Sequence, residues 1–310
     1  MAGILIYSDQ DKLALELLTA ARLIAKDANL NVKALVINND AQAGELASRG
    51  AEVYQICSPE LFAADTAALA AALQQVIEKL DSSMVLLSSN RRGKELAGRL
   101  AQKLAAGGLS DVSGLQVSGG KIQCTRNALG GATVATQQID TEKAVIALAA
   151  RSFEAAPIQD GGKINEFVMD AVTPSVKLLQ TELKAGDVAD IQAADVLVVI
   201  GQGVEEDDLP IAEKIAKKLG GEIACSKPVA TDKKWLPEDR IIGLSGKKCK
   251  PQLAIILGVS GQVQFTVGIR DAHTIIAVNN DENAYMLQVA DYAMVSDAGQ
   301  VINELNKALS

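Results

Sequence analysis

Aromatic side chains are scarce in this chain: four phenylalanines, four tyrosines and one tryptophan make up 3% of its 310 residues. A core cannot then be built around rings and has to be packed from Ala, Val, Ile and Leu, which suits parallel sheets covered by helices. Histidine occurs once, as His273, and the four cysteines, Cys57, Cys124, Cys225 and Cys249, form no CxxC pair. No Cys/His metal site is expected from such a set, and the thiols read as buried and free in a reducing compartment. Positive charge is in the minority: 30 Lys and Arg stand against 38 Asp and Glu, for a net charge of −8. Without a basic run to offset that balance, nucleic acid is not an expected partner. No apolar run approaches the roughly 20 residues that span a bilayer. The first ten residues, MAGILIYSDQ, turn polar at once and read as a first strand rather than a signal peptide. A cytoplasmic protein without direct membrane insertion is the expectation.

What is present is a regular alternation. Gly3 to Tyr7, Val32 to Ile37, Glu52 to Ile56 and Met84 to Ser88 read as strands. Between and after them, Asp11 to Ala28, Ala41 to Arg49, Asp65 to Leu80 and Gly93 to Ala105 carry apolar residues at helical spacing. Strand–helix alternation implies a parallel sheet with right-handed crossovers. After Gly107-Gly108 the segments become short and glycine-punctuated: Leu115 to Val117, Lys121 to Arg126, Thr133 to Ile139 and Ala144 to Ala149. These read as antiparallel pairs on a sheet edge. The stretch 160–190 reads as a connection, and Asp195 to Ile200 opens a second α/β unit that ends in a helix from about Asp297 to Leu309. The fold class is therefore α/β, with two domains, 1–188 and 189–310, each a mostly parallel sheet flanked by helices, the second doubly wound.

The most informative stretch runs from Pro251 to Asp297. An apolar run, Leu253 to Leu257, leads into Gly258-Val-Ser-Gly261; a second, Thr274 to Val278, ends in Asn279-Asn280-Asp281. Gly258 and Gly261 permit close backbone approach, and Ser260 can cap a following helix whose first N–H groups would face an anion. A well-made turn that binds nothing has the same sequence, as such turns are common. Asn279, Asp281 and Asp297 fall where polar residues at strand carboxyl ends face a ligand crevice, although Asn and Asp favour such tips in any case. A third motif, Val198-Val-Ile-Gly-Gln-Gly203, lacks the third glycine of a dinucleotide fingerprint, and Glu205, Glu206, Asp207 and Asp208 follow it. Four carboxylates repel a pyrophosphate, which disfavours a nicotinamide enzyme. No serine sits in a GxSxG context, His273 reads as a loop histidine, and no catalytic residues are assigned.

The ordered set GVSGQVQ, AVNNDENA and QVADYAMVSD is similar to the C-terminal signature of electron transfer flavoprotein alpha subunits, usually close to GISGxxQHxxG, AINxDxxAPIF and ADYGIVxD. Thr125 to Gly131 (TRNALGG) and Arg151 to Ala156 (RSFEAA) match that family's N-terminal domain. The resemblance covers nearly the whole chain. It implies an alpha subunit paired with a homologous beta subunit, with FAD in the C-terminal domain and AMP or a second FAD in the partner. Such a protein is an electron carrier rather than an enzyme with its own substrate. It takes electrons from acyl-CoA-type dehydrogenases of fatty acid oxidation and passes them to a redox acceptor.

Carried over by position, Ser260, Gly261 and Gln264 fall on the pyrophosphate contacts, with Gly258 and Gln262 in the same turn. Asn279 and Asp297 fall at the ribose and adenine end, with Asp281 beside them. The ring end departs from the pattern. Gln202, before Gly203, stands where the family has an arginine, and Lys227 after Ser226 replaces a second one. Leu244-Ser245, before Gly246, replaces Gln-Thr, and Phe265 replaces a histidine. Loss of cationic donors beside a flavin removes stabilisation of negative charge on its reduced form and lowers its potential. An alternative reading is a structural or regulatory paralogue that binds nucleotide but has altered or lost flavin redox function.

Overall fold

The computed structural model describes residues 3–118, 121–131, 133–180 and 190–309. Its contacts divide into two compact units, Met1–Thr181 and Glu182–Ser310. The expected boundary between 188 and 189 falls in 181–189, outside the described residues.

The first unit alternates strand and helix as its periodicity requires: β1 (Gly3–Tyr7), α1 (Asp11–Ala28), β2 (Val32–Ile37), α2 (Asp40–Ser48), β3 (Glu52–Ile56), α3 (Thr66–Lys79), β4 (Ser82–Ser88) and α4 (Arg91–Lys103). There follow β5 (Gly107–Ser118), β6 (Lys121–Ala128), β7 (Thr133–Gln138), β8 (Ala144–Leu148) and β9 (Lys163–Glu166). They form one nine-stranded sheet in the order β7-β6-β5-β8-β4-β1-β2-β3-β9. Alternate residues of β1 serve opposite faces. Ile4 and Ile6 pack with α1, whereas Leu5 and Tyr7 pack with α3 and α4.

Two expectations need correction here. Ala144–Leu148 is not antiparallel but lies parallel between β4 and β5, deep in the sheet, which its continuous apolar run AVIAL fits better. The stretch 160–190 is more than a connection: Lys163–Glu166 adds a parallel edge strand to β3. Farther along the same stretch, the backbone N–H groups of Ser175 and Val176 donate to the Asp65 carboxylate at 2.7 and 3.0 Å. Cys57 is also a correction, being exposed, while Cys124, Cys225 and Cys249 are buried. Burial pushes the Cys124 thiol up to about 11 and that of Cys225 to about 12.

The second unit comprises β10 (Val196–Ile200), α5 (Leu209–Lys218), β11 (Glu222–Cys225), α6 (Lys227–Thr231), β12 (Leu253–Leu257), α7 (Val263–Thr266), β13 (Thr274–Asn279), α8 (Tyr285–Gln288), β14 (Tyr292–Val295) and α9 (Ala298–Ala308). Its five strands are all parallel, in the order β11-β10-β12-β13-β14. The central runs VLVVI and LAIIL are apolar without alternation because both faces are covered. On one face Leu197, Val199 and Ile256 meet Phe265 and Met286; on the other Val198, Ile200 and Leu257 meet residues of α5 and α9. This is a doubly wound sheet whose strand order reverses between β10 and β12. In such sheets the ligand crevice opens outside the strand carboxyl ends at that reversal. No helix among the described residues is long and apolar enough to cross a membrane.

Candidate functional site

The turns after β10 and β12 meet at the reversal point with almost no space between their backbones. Gly203 N–H donates to the Gly258 carbonyl at 3.0 Å, and Gly201 N–H to the Leu257 carbonyl at 2.8 Å. Gly258 has φ +64, and a Cβ there would lie 2.7 Å from the Gly203 carbonyl carbon. Glycine is demanded on both sides of this contact. Beyond it, Gly261 (φ +83) brings the turn against α8, where a Cβ would lie 2.6 Å from Met286 Cα. Met286 N–H donates to the Ser260 carbonyl at 3.1 Å and fixes that approach.

The turn leaves donors unspent. The backbone N–H groups of Ser260, Gly261, Gln262, Val263 and Gln264 have no hydrogen-bond acceptor among the described residues. Ser260, Gln262 and Gln264 are exposed. A run of free amides at a strand carboxyl end is a ready anion cradle. Ser260 does not cap the following helix as expected. Gln262 holds the cap position without a side-chain bond, and α7 is a single turn of four residues. The cradle is thus a backbone loop rather than the end of a long helix.

The polar tips of the next strands are ordered by their own side chains. Asn279 is 8% exposed; its amide donates to the Val259 carbonyl at 2.8 Å and its oxygen accepts from Asp281 N–H at 3.0 Å. It ties β13 to the glycine turn. Asp281 in turn accepts from Asn283 N–H at 2.9 Å. Asp297 caps α9 by accepting from Gln300 N–H at 2.9 Å.

On the other side, Ser226 is buried at the end of β11, and Lys227 after it is exposed. Leu244, Ser245 and Gly246 are all exposed on a loop held beside α7, since Leu244 N–H donates to the Gln264 carbonyl at 2.7 Å. Phe265 is the one large apolar side chain among the assigned residues that is buried. At 7% exposed it packs into the core with Ile242, Val259 and Ile269, so its ring faces the sheet rather than an open crevice.

Between the turn after β10 and the start of α9 lies a cavity of about 980 Å³. Gln202, Gly203 and Asp297 line it, with Asn280 of the expected polar tip and residues the sequence did not single out for a ligand: Lys233, Trp235, Gln300, Asn303 and Glu304. The chain's single tryptophan, two residues from a lysine, was the available signal. Glu205, Glu206 and Asp208 also line it, so the acidic run after Gly203 faces the cavity. Among the described residues no cluster of three His, Cys, Asp or Glu side chains could hold a metal ion.

Fold and site together define a class: a two-unit α/β protein whose second unit is a doubly wound sheet with a loop of free amides and a polar cavity at its strand carboxyl ends. Residues 5–172 match the electron transfer flavoprotein domain, and residues 190–270 match the electron transfer flavoprotein FAD-binding domain. Protein FixB of Escherichia coli O7:K1 (strain IAI39 / ExPEC) is 31% identical over 312 residues, covering 98% of this chain and 97% of its own. Protein FixB of Escherichia coli O17:K52:H18 (strain UMN026 / ExPEC) is 35% identical over 231 residues, 73% of this chain and 74% of its own. A crystal structure of Acinetobacter baumannii MurG aligns over 100% of this chain and 90% of its own, with 12% identity and a TM-score of 0.36, too low to define a shared fold. The chain belongs to the electron transfer flavoprotein alpha subunit family.

Proposed function

We propose that the chain is the alpha subunit of a heterodimeric electron transfer flavoprotein, carrying FAD in 189–310 and joined through 1–188 to a beta subunit that holds AMP or a second FAD. The observation that carries this reading is the run of five free amides from Ser260 to Gln264 at the strand-order reversal, where a pyrophosphate would be held by backbone alone. Asn279, Asp281 and Asp297 stand on the side suited to ribose and adenine. The cavity beside Asp297 offers adenosine the side-chain amides of Gln202, Asn280, Gln300 and Asn303 and the Trp235 ring, among carboxylates that would repel a phosphate. Ser226, Lys227, Leu244, Ser245 and Gly246 border the ring end, with Phe265 supporting their loop from the core, whereas Gln202 and Gly203 share the cavity with Asp297.

Bound flavin would supply the one- and two-electron chemistry; the protein sets its position and electrostatics. Electrons would come from a flavin-dependent dehydrogenase of the acyl-CoA type and leave to a separate acceptor, with no substrate bond made or broken by this chain. A nucleotide-binding paralogue without electron transfer is the second reading. It is favoured by an uncharged Gln202 where the family carries an arginine and by a Phe265 ring turned into the core.

Co-expression with a beta-like partner, purification and absorption spectroscopy test both. A yellow heterodimer that bleaches when a reduced dehydrogenase is supplied is the expected result. A tight but colourless complex that takes up no added FAD overturns it in favour of the paralogue.

A further inference from the structure

The chain turns sharply after α6. Asp232 and Lys233 N–H groups both donate to the Pro228 carbonyl, at 3.0 and 3.1 Å, and Lys234 adopts φ +57. Trp235 N–H then returns to the Val229 carbonyl at 3.2 Å. That geometry sends the Lys233 side chain back across the cavity wall. Its Nζ donates to the Gln202 carbonyl at 3.2 Å and to the Val204 carbonyl at 3.3 Å, and sits 3.9 Å from the centre of the Trp235 ring. An ammonium over an indole face is attracted by the ring quadrupole, so three weak contacts converge on one nitrogen.

The surroundings give that nitrogen a task. Glu205, Glu206, Asp208, Asp297 and Glu304 line the same cavity, and Lys233 is the one cationic side chain lining it among the described residues. We propose that Lys233 is a positioning residue for the nucleotide: it pins the Gln202–Val204 turn and supplies the positive charge that lets an anionic dinucleotide lie against a wall of carboxylates. The proposal rests on the nucleotide reading above. It assigns to a lysine outside every glycine turn the charge compensation that the acidic run after Gly203 requires. Coulomb interaction with a phosphate depends on that charge, whereas adenosine, being neutral, senses only the shape of the turn.

Calorimetric titration of the full chain with ADP and with adenosine separates the two contributions. In Lys233→Gln, ADP binding is expected to weaken about tenfold and adenosine binding by less than about threefold, with the gap narrowing at high salt. Lys233→Arg should restore ADP binding. Glu206→Gln, an exposed change that leaves the turn's contacts alone, should tighten ADP binding by about threefold. Equal losses for ADP and adenosine in Lys233→Gln, or an unchanged ADP affinity in both Lys233→Gln and Glu206→Gln, would overturn the proposal while leaving the nucleotide site standing. Wild-type protein that binds neither ligand would overturn the nucleotide reading itself, and this proposal with it.

Discussion

Asp65 shows how much a single side chain can organise. It caps α3 through Ala68 N–H at 2.9 Å, and it also receives Ser175 Oγ–H at 2.6 Å and the N–H groups of Ser175 and Val176. Burial by itself would raise its carboxyl; the four hydrogen bonds outweigh burial and bring it down to about 2. A carboxyl lowered in the folded state contributes stability that is complete above its unfolded value near 4 and is lost as pH falls from there to about 2. Urea midpoints across that window should fall for wild type and fall less steeply for Asp65→Asn, in which Glu52, Glu95 and Asp140 still contribute. Gly261→Ala meets both a left-handed φ and the α8 backbone, so a loss of about 1 to 3 kcal/mol is expected by denaturant unfolding, with weaker nucleotide retention. Gln202→Arg puts a cation, on an exposed residue, where the family carries one and should raise the flavin potential by on the order of 30 mV in redox titration. Phe265→His is a poor companion to it. A buried imidazole replacing a packed ring should cost about 2 to 4 kcal/mol and confound the potential.

At the scale of elements, most of the helices and strands were legible because they are strongly periodic or flanked by turn residues. The helical apolar spacing of α1 and the short β-branched runs VLVVI and LAIIL, each ending at a glycine, pointed to helix and strands respectively. What failed had a common physical reason: strand partners are chosen by tertiary packing. AVIAL carries no mark that it slips between β4 and β5, and KINE none that it pairs with β3. In the site, the glycine turns and polar tips were visible as local chemistry. The Lys233–Trp235 wall was not, because its residues acquire meaning only when α6 turns back towards the end of β10. Asp297 was visible as the start of the last helix and its capping bond was not, and removal of that cap has a definite expectation. Asp297→Ala should cost about 1 kcal/mol in denaturant stability and should also weaken adenosine binding, since the same carboxylate lines the cavity.

For the whole molecule, the two units have separate cores and their ligand contacts are expected to be unequal. FAD at about 100 times its dissociation constant should stabilise the unit that binds it by about 2.7 kcal/mol. Hydrogen exchange should therefore slow across 190–309 on adding FAD and change little across 3–180; protection spread evenly over both would count against a site confined to the second unit. The distribution of thiols gives the molecule a further property. Three are sequestered, two of them with ionisation suppressed by burial, while Cys57 alone lies exposed at the end of β3. Alkylation is governed by access and thiolate fraction. The native chain should accordingly take up one maleimide rapidly and the other three only on unfolding. Nature has left a single-point attachment for a fluorophore in the first unit, remote in sequence from the nucleotide loops, through which tethering or distance measurements can be made without introducing or deleting a cysteine.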